Sequence, residues 1–410
     1  MGSNKKLSMK KLLVYSHDTY GLGNIKRMLT ICQYLLEVIP ELSILLVTGS
    51  PVVHSLRLPG LPGLMDYIKL PCLTRVGRGE YTTKYLSSGL SEAVRLRSDL
   101  ILTTVINFKP DLLMVDKKPL GVKRELAATL DYLRVGLPKT NQILILRDIL
   151  DSPDAIVSNW ERNGHYEAIS RFYNRVMILG EQEIFDPIEE YSFPPSVVDK
   201  TEFCGYLRKE AKPGSRLEMR ARLRVGDDQR LVLVTTGGGE DGYDVIDAYL
   251  KGLGSFPIDP DLRSLIVCGP EMPERQRTQL QERAAADPGL IFYESTGEML
   301  GLMAAADVVV AMGGYNTVCE ILSLRKRAIV VPRVRPTEEQ WIRADRMSRL
   351  GLFQTLHPDQ LTPERLMRAL SESLASPSEP ARPGPVDLNA LSVIAKRVEE
   401  LLPRHGDLRI

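Results

Sequence analysis

Apolar residues along this chain fall into short unbroken runs, each followed by a glycine-bearing turn and then by a stretch with apolar positions every three to four residues. The run at 11–16 predicts a buried strand. The turn at 18–24 carries Gly21 and Gly23, the periodic stretch 25–38 predicts a helix, and 42–48 predicts the strand that closes a βαβ unit. Proline and glycine crowd 51–71, a polar stretch covers 74–88, and a helical pattern runs to about residue 108. Strands are expected at 112–115 and 142–146. The second half repeats this order: strand 230–235, the Gly237-Gly238-Gly239 turn, a helix from about 243, strand 264–268, helix 273–286, strand 290–293 and the buried run 307–312 ending at Gly313-Gly314. Strands that alternate with helices and read as continuous apolar runs predict an α/β fold with parallel sheets covered on both faces.

The same pattern places a domain boundary near residue 208. It gives an N-terminal domain over 1–207, a C-terminal domain over 208–385, and a final helix within 386–410, after the proline-rich 376–385, that is expected to pack back on the first domain. A length of 410 residues with 43% hydrophobic content supplies more than one core. Lys+Arg 53 against Asp+Glu 52 leaves a formal charge of +1, so no overall field recommends a nucleic acid as partner. Cys32, Cys72, Cys204, Cys268 and Cys319 are widely spaced, without a C-x-x-C pair, which excludes the usual zinc pattern and points to reduced thiols. No metal site is expected. No stretch approaches the ~18 apolar residues of a membrane-spanning helix, and the apolar run 12–15 is too short for a signal peptide. These features predict a cytoplasmic protein with no integral membrane segment, whose membrane contact, if any, is peripheral and at the inner face.

The candidate chemistry lies in the glycine turns. In open α/β sheets ligands bind beyond the carboxyl ends of the strands, and Gly21/Gly23, Gly237–Gly239 and Gly313-Gly314 all fall there. A helix N-terminus offers unpaired N–H groups and a positive dipole end to phosphate. In 311–351, Gly313-Gly314 turns tightly before Asn316 and Thr317 open a helix, and Glu320 is expected in its first turn, as a helix-capping residue or as a partner for ribose. Two such turns in one half make a cradle for a diphosphate.

At these positions the chain resembles GT-B glycosyltransferases of the MurG-like, family 28 type. Gly21-Leu22-Gly23 resembles the family's N-terminal glycine loop and Gly237-Gly238-Gly239 its phosphate loop; Thr296 to Leu300, with Thr296 and Met299, resembles the segment that meets the base. Gly313-Gly314-Tyr315-Asn316-Thr317 with Glu320 is similar to the signature that faces diphosphate and ribose, and Glu339-Gln340 to the pair on the donor sugar's hydroxyls. The resemblance implies two Rossmann-like domains facing a central cleft. It also implies an inverting, metal-independent transfer from a nucleotide diphosphate sugar, UDP-linked, used as co-substrate with no other cofactor. The acceptor belongs to the N-terminal domain and is not identified.

One departure concerns the base that must take the acceptor's proton. Where the family has a histidine after the N-terminal glycine loop, this chain has Asn24, whose amide has no useful proton affinity. His17 and Asp18, at the end of the first strand, are the substitutes; each also reads as a residue that shapes its turn. If neither serves, Asn24 contacts acceptor, or the chain is a nucleotide-sugar-binding regulatory protein without transfer activity. A nucleotide-sugar 2-epimerase is a third reading. Glu240 suits hydroxyl recognition, while Asp241 and Asp244 suit the start of the following helix. Lys117-Lys118, Lys123-Arg124 and 325–327 are short basic clusters, read as solvated faces or as phosphate contacts. Arg333, Arg335 and Arg343 flank the sugar segment and suit an anionic group there. The apolar loop 56–64 reads as an acceptor or membrane surface, or as a loop buried under its domain.

Overall fold

A computed structural model describes residues 9–17, 23–51, 53–55, 64–77, 80–212, 214–256, 261–375 and 386–403. Asp18, Gly21, the loop positions 56–63 and the proline-rich 376–385 lie outside the described residues. The chain divides into two compact units, Met1–Gly205 with Asn389–Ile410, and Tyr206–Leu388.

The first unit is built on a seven-stranded parallel sheet. Its strands are β1 (Lys10–Ser16), β2 (Leu42–Thr48), β3 (Met65–Lys69), β6 (Leu112–Asp116), β7 (Asn141–Arg147), β8 (Arg175–Leu179) and β9 (Thr201–Phe203), with the hairpin strands β4 (Leu73–Gly77) and β5 (Glu80–Thr83) forming a separate antiparallel pair. The order β3-β2-β1-β6-β7-β8-β9 places β1, first in sequence, beside β6, with Leu12 opposite Leu112 and Tyr15 opposite Val115. Leu12 to Tyr15, Leu112 to Val115 and Ile143 to Leu146 are all buried, which explains their unbroken apolar runs: helices cover both faces. The helix Ala390–Leu401 belongs to this unit and packs on Gly23–Val38; Asn141 Nδ2 donates to the Leu401 carbonyl at 2.7 Å and Arg397 pairs with Glu202 at 2.8 Å.

The second unit holds a six-stranded parallel sheet of β10 (Arg230–Thr235), β11 (Leu262–Val267), β12 (Leu290–Tyr293), β13 (Val308–Ala311), β14 (Arg327–Val330) and β15 (Gln354–Thr355), in the order β12-β11-β10-β13-β14-β15. Its core joins Val232, Val234, Ile266, Val308, Val310 and Ile329 to Tyr249, Leu280, Leu366 and Leu370 from the covering helices. All five cysteines are buried, and none is in a disulfide. Among the described residues no helix is long and apolar enough to cross a membrane.

Several elements differ from the sequence reading. The polar stretch 74–88 contains most of the hairpin, in which the half-buried Tyr81 and Thr83 alternate with the exposed Glu80 and Thr82. The apolar run of β8 forms an inner strand that periodicity over longer windows passes over, while β9 and β15, of three and two residues, are too short to leave a pattern.

Candidate functional site

In the second unit the sheet order brings four connecting loops side by side, because β11, β10, β13 and β14 are consecutive neighbours and all four run in the same direction. After β10, Thr236 Oγ1 donates to the Cys268 carbonyl at 2.6 Å, and the Gly238 carbonyl accepts from Glu271 N–H at 2.7 Å, so this loop lies on the one that follows β11. Gly239 has φ +95°, and a side chain there would overlap the Cys268 carbonyl and approach Gly269 Cα to 3.0 Å. Close backbone contact therefore requires glycine at 239. Gly237 is exposed and its side-chain direction is open.

After β13, Gly314 caps the helix Tyr315–Ser323 with extended backbone and no side-chain hydrogen bond. Asn316 and Thr317 are half-buried in the first turn. Glu320 is the sixth helical residue and sits in the second turn. A capping box is thereby excluded, since the cap is a glycine and no acidic residue occupies the first turn. Arg343, fully buried, donates to the Gly313 carbonyl at 2.9 Å and lies over the Tyr315 ring, so it supports this turn from beneath and is not available to an anionic ligand. Glu339 and Gln340 open the helix Glu339–Arg349 after β14 and are both buried; the Gln340 carbonyl and the Pro332 ring pack against Gly313. Arg333 bridges Asp241 at 3.3 Å and Glu339 at 3.4 Å, which places Asp241 in an ion pair rather than at the helix start; Asp244 keeps its place in the first turn of Tyr243–Ser255.

Thr296 and Met299 follow β12. Thr296 Oγ1 accepts from Glu298 N–H at 2.9 Å, and Glu298 forms a bidentate pair with Arg222 at 2.8 and 2.9 Å. A cavity of about 430 Å³, lined in part by Tyr293, Ser295, Thr296, Glu298 and Leu302, opens beside this segment. Trp341 packs edge-on against His357 with ring centres 4.6 Å apart.

In the first unit the ends of β1 and β6 bring His17 beside Asp116. His17, 4% exposed, has Nδ1 at 3.2 Å from the Asp116 carbonyl and 3.9 Å from its carboxylate. Burial holds its pKa well below the usual imidazole value, and Lys118, Lys117 and Arg27 push it further down. The ring is therefore neutral at pH 7, and a contact with the Asp116 carbonyl suits a proton on Nδ1. Gly23 and Asn24 are the first residues of Gly23–Val38, and the buried Arg27 donates both to Asn24 Oδ1 at 3.0 Å and to Asp116 Oδ1 at 2.6 Å. Asn24, Arg27, Asp116 and His17 thus form one network. Behind it, Glu125 accepts from Tyr15 and from Arg97 Nε and Nη2 at 2.5 and 2.7 Å, in a fully buried cluster that anchors the loop 116–125. Lys118 is half-buried rather than solvated: it donates to Tyr81 Oη at 2.6 Å and lies over that ring. Arg27, Arg97 and Arg333 escaped the sequence reading as site-organising residues, because their partners are 89, 28 and 92 positions away.

Residues 232–398 match the model of the Glycosyltransferase family 28 C-terminal domain. Over these residues the chain is similar to that domain. It is 24% identical over 238 residues to an uncharacterized glycosyltransferase of Methanopyrus kandleri, covering 56% of this chain and 65% of that protein. It is 27% identical over 176 residues to the UDP-N-acetylglucosamine--N-acetylmuramyl-(pentapeptide) pyrophosphoryl-undecaprenol N-acetylglucosamine transferase of Geobacillus kaustophilus, covering 42% of this chain and 46% of that enzyme. The matches thus span 46% and 65% of these relatives' own lengths. Among solved structures, MurG of Acinetobacter baumannii aligns over 95% of this chain and 99% of its own, with TM-score 0.61 and 13% identity. A UDP-GlcNAc 2-epimerase of Neisseria meningitidis aligns over 96% and 100%, with TM-score 0.63 and 14% identity. These likenesses show the GT-B fold. The matched segment includes every residue that the sequence suggests for a donor, from Gly237 to Gln340.

Proposed function

We propose that the protein is an inverting, metal-independent glycosyltransferase that moves a sugar from a UDP-linked donor, bound by the family 28 domain, to a hydroxyl acceptor bound by the N-terminal unit. One observation carries this reading: the Gly237–Gly239 loop, the Gly314-capped helix start and the Glu339-Gln340 pair follow three adjacent parallel strands, β10, β13 and β14. Backbone N–H groups at the two glycine turns take the charge that develops on the departing diphosphate, and the helix dipole adds to them. No divalent cation is needed for that step. Thr296 and Met299 flank the base, and the adjoining cavity has the size of a small-ligand pocket. Glu320 answers the ribose hydroxyls from the second turn, where its half-buried side chain lies beyond the anion-binding N–H groups.

On the acceptor side His17 is the base. Its neutral ring keeps Nε2 for the proton, while the contact of Nδ1 with Asp116 fixes the tautomer. Attack by the acceptor oxygen on the anomeric carbon forms the new glycosidic bond as the bond to the diphosphate oxygen breaks, and His17 takes the acceptor's proton. Asn24, bound to Arg27, fills the place of the expected histidine without its chemistry.

Isothermal titration tests the donor half: UDP binds the wild-type chain and Glu320→Ala weakens it about tenfold, the loss of one good hydrogen-bonded contact. A wild-type chain that binds neither UDP nor UDP-sugars would sink the proposal. Transfer activity persists in EDTA. The Asn24–Arg27 contact favours a second reading, a nucleotide-sugar-binding protein without transfer. UDP-sugar binding with no acceptor-dependent UDP release, unchanged by His17→Ala, would select it.

A further inference from the structure

The sequence offers Arg333 for an anionic group, but the structure pairs it with two carboxylates. Arg333 follows β14 and Pro332. Its backbone N–H donates to Gln340 Oε1 at 3.1 Å, and its guanidinium donates to Glu339 Oε1 at 3.4 Å and to Asp241 Oδ2 at 3.3 Å. One residue therefore touches both members of the Glu339-Gln340 pair and the acidic run after the triple glycine. Its inner part is enclosed, with the Arg333 side chain 18% exposed and that of Glu339 8%, while Asp241 at the rim is 37% exposed. It also sits against the phosphate turn, because the Gln340 carbonyl lies 3.0 Å from where a side chain on Gly313 would begin.

We propose that Arg333 is a positioning residue for the donor sugar, holding Glu339 as a fixed acceptor and Gln340 as a fixed donor toward an uncharged sugar. The inference rests on the nucleotide-sugar reading above. With Oε1 engaged by the Arg333 N–H, the Gln340 amide presents its N–H2 group to a ligand, so the pair offers one acceptor and one donor to neighbouring hydroxyls. Two carboxylates share the single positive charge of Arg333. A sugar carboxylate would enter a cluster of net charge −1 and meet repulsion, which assigns the site to neutral hexoses or acetamido sugars rather than uronic acids. The same pairing masks Asp241, whose carboxylate would otherwise stand bare beside the diphosphate loop.

The test uses the full chain and titrates UDP, UDP-glucose, UDP-N-acetylglucosamine and UDP-glucuronate. In the wild type, one of the two neutral-sugar nucleotides binds more tightly than UDP, and UDP-glucuronate binds most weakly of the sugar nucleotides. Arg333→Ala cuts the preference for the neutral-sugar nucleotide over UDP about tenfold, the equivalent of one to two lost hydrogen bonds. Arg333→Lys restores part of it, since an ammonium reaches one carboxylate but not two at once. In Arg333→Ala/Asp241→Asn, UDP affinity returns to the wild-type value while the sugar preference stays low, which a merely misfolded variant would not show. A ratio unchanged in Arg333→Ala, or UDP-glucuronate binding best through Arg333, overturns the inference and leaves the nucleotide reading standing. Absence of any UDP binding overturns both.

Discussion

His17, buried, and His165, half-buried, share Lys118 as the first charge that acts on them. Burial is the first cause of both depressed pKa values, and Lys118 is the first charge that adds to it in each case; His165 is pushed down to about 4, with Arg124 as the further contributor. Lys118→Gln removes that shared charge, so both histidines titrate at higher pH in the variant, His165 from its value of about 4, while burial keeps them below the ordinary imidazole range. Ring resonances followed by NMR through a pH series check this, and histidine shifts identical to wild type would refute it. The sign for stability follows from the same shifts. Both folded-state values lie below the unfolded value of about 6.5, so between them the unfolded chain binds more protons and stability falls as pH drops below about 6.5. Each histidine contributes up to about 1.4 kcal/mol per pH unit in that window. Urea denaturation at pH 7 and pH 5 gives a smaller difference for His165→Gln than for the wild type.

The loops of the proposed donor site hold glycines of two kinds. Gly239 sits at φ +95° against the Cys268 carbonyl, so Gly239→Ala both strains the backbone and drives two loops apart, at a cost of at least about 2 kcal/mol. A loss of that size lowers the melting temperature of a unit this long by roughly 4–8 °C. Gly314 has φ −64° and open space at its side-chain position, so Gly314→Ala melts with the wild type, and any change in UDP affinity then reports on the turn alone. Differential scanning calorimetry of the two variants separates the cases. The strand and turn grammar of this half was legible because β10 and β13 are buried on both faces and write unbroken runs of valine and leucine ended by glycine. The register within the next helix was less so. Asn316-Thr317 look like the capping residues, but the cap is Gly314, and Glu320 moves into the second turn. Partners distant in sequence were not legible at all: nothing near Arg333 announces Asp241, and nothing near Arg27 announces Asp116, because only the sheet order brings those loops together.

At the scale of the whole molecule, the chain leaves its first unit at Gly205 and returns to it at Asn389, so the last helix of the sequence completes the first unit. Ala390, Ile394, Ala395, Val398 and Leu402 are buried there, and Arg397 is held by Glu202 and Glu400. Full burial of Ile394, Val398 and Leu402 stabilises the unit by about 1.5–3 kcal/mol each, an upper range given the compactness of unfolded chains. Ending the chain after Leu388 therefore removes several kcal/mol from the first unit and no contact within the second. The two tryptophans report on the two units separately. Trp160 is buried against Tyr166 and Phe193 in the first, and Trp341 packs on His357 in the second. In Trp341→Phe the truncation shifts the fluorescence of Trp160 to that of a solvent-exposed indole, or lowers its melting transition sharply. In Trp160→Phe the truncated chain keeps the Trp341 signal, and UDP at 100 times its Kd still raises that transition by the equivalent of about 2.7 kcal/mol. Loss of UDP binding together with the first unit would show that the second unit depends on the first for its fold, and the donor variants would then have to be read only in chains that retain residues 389–410.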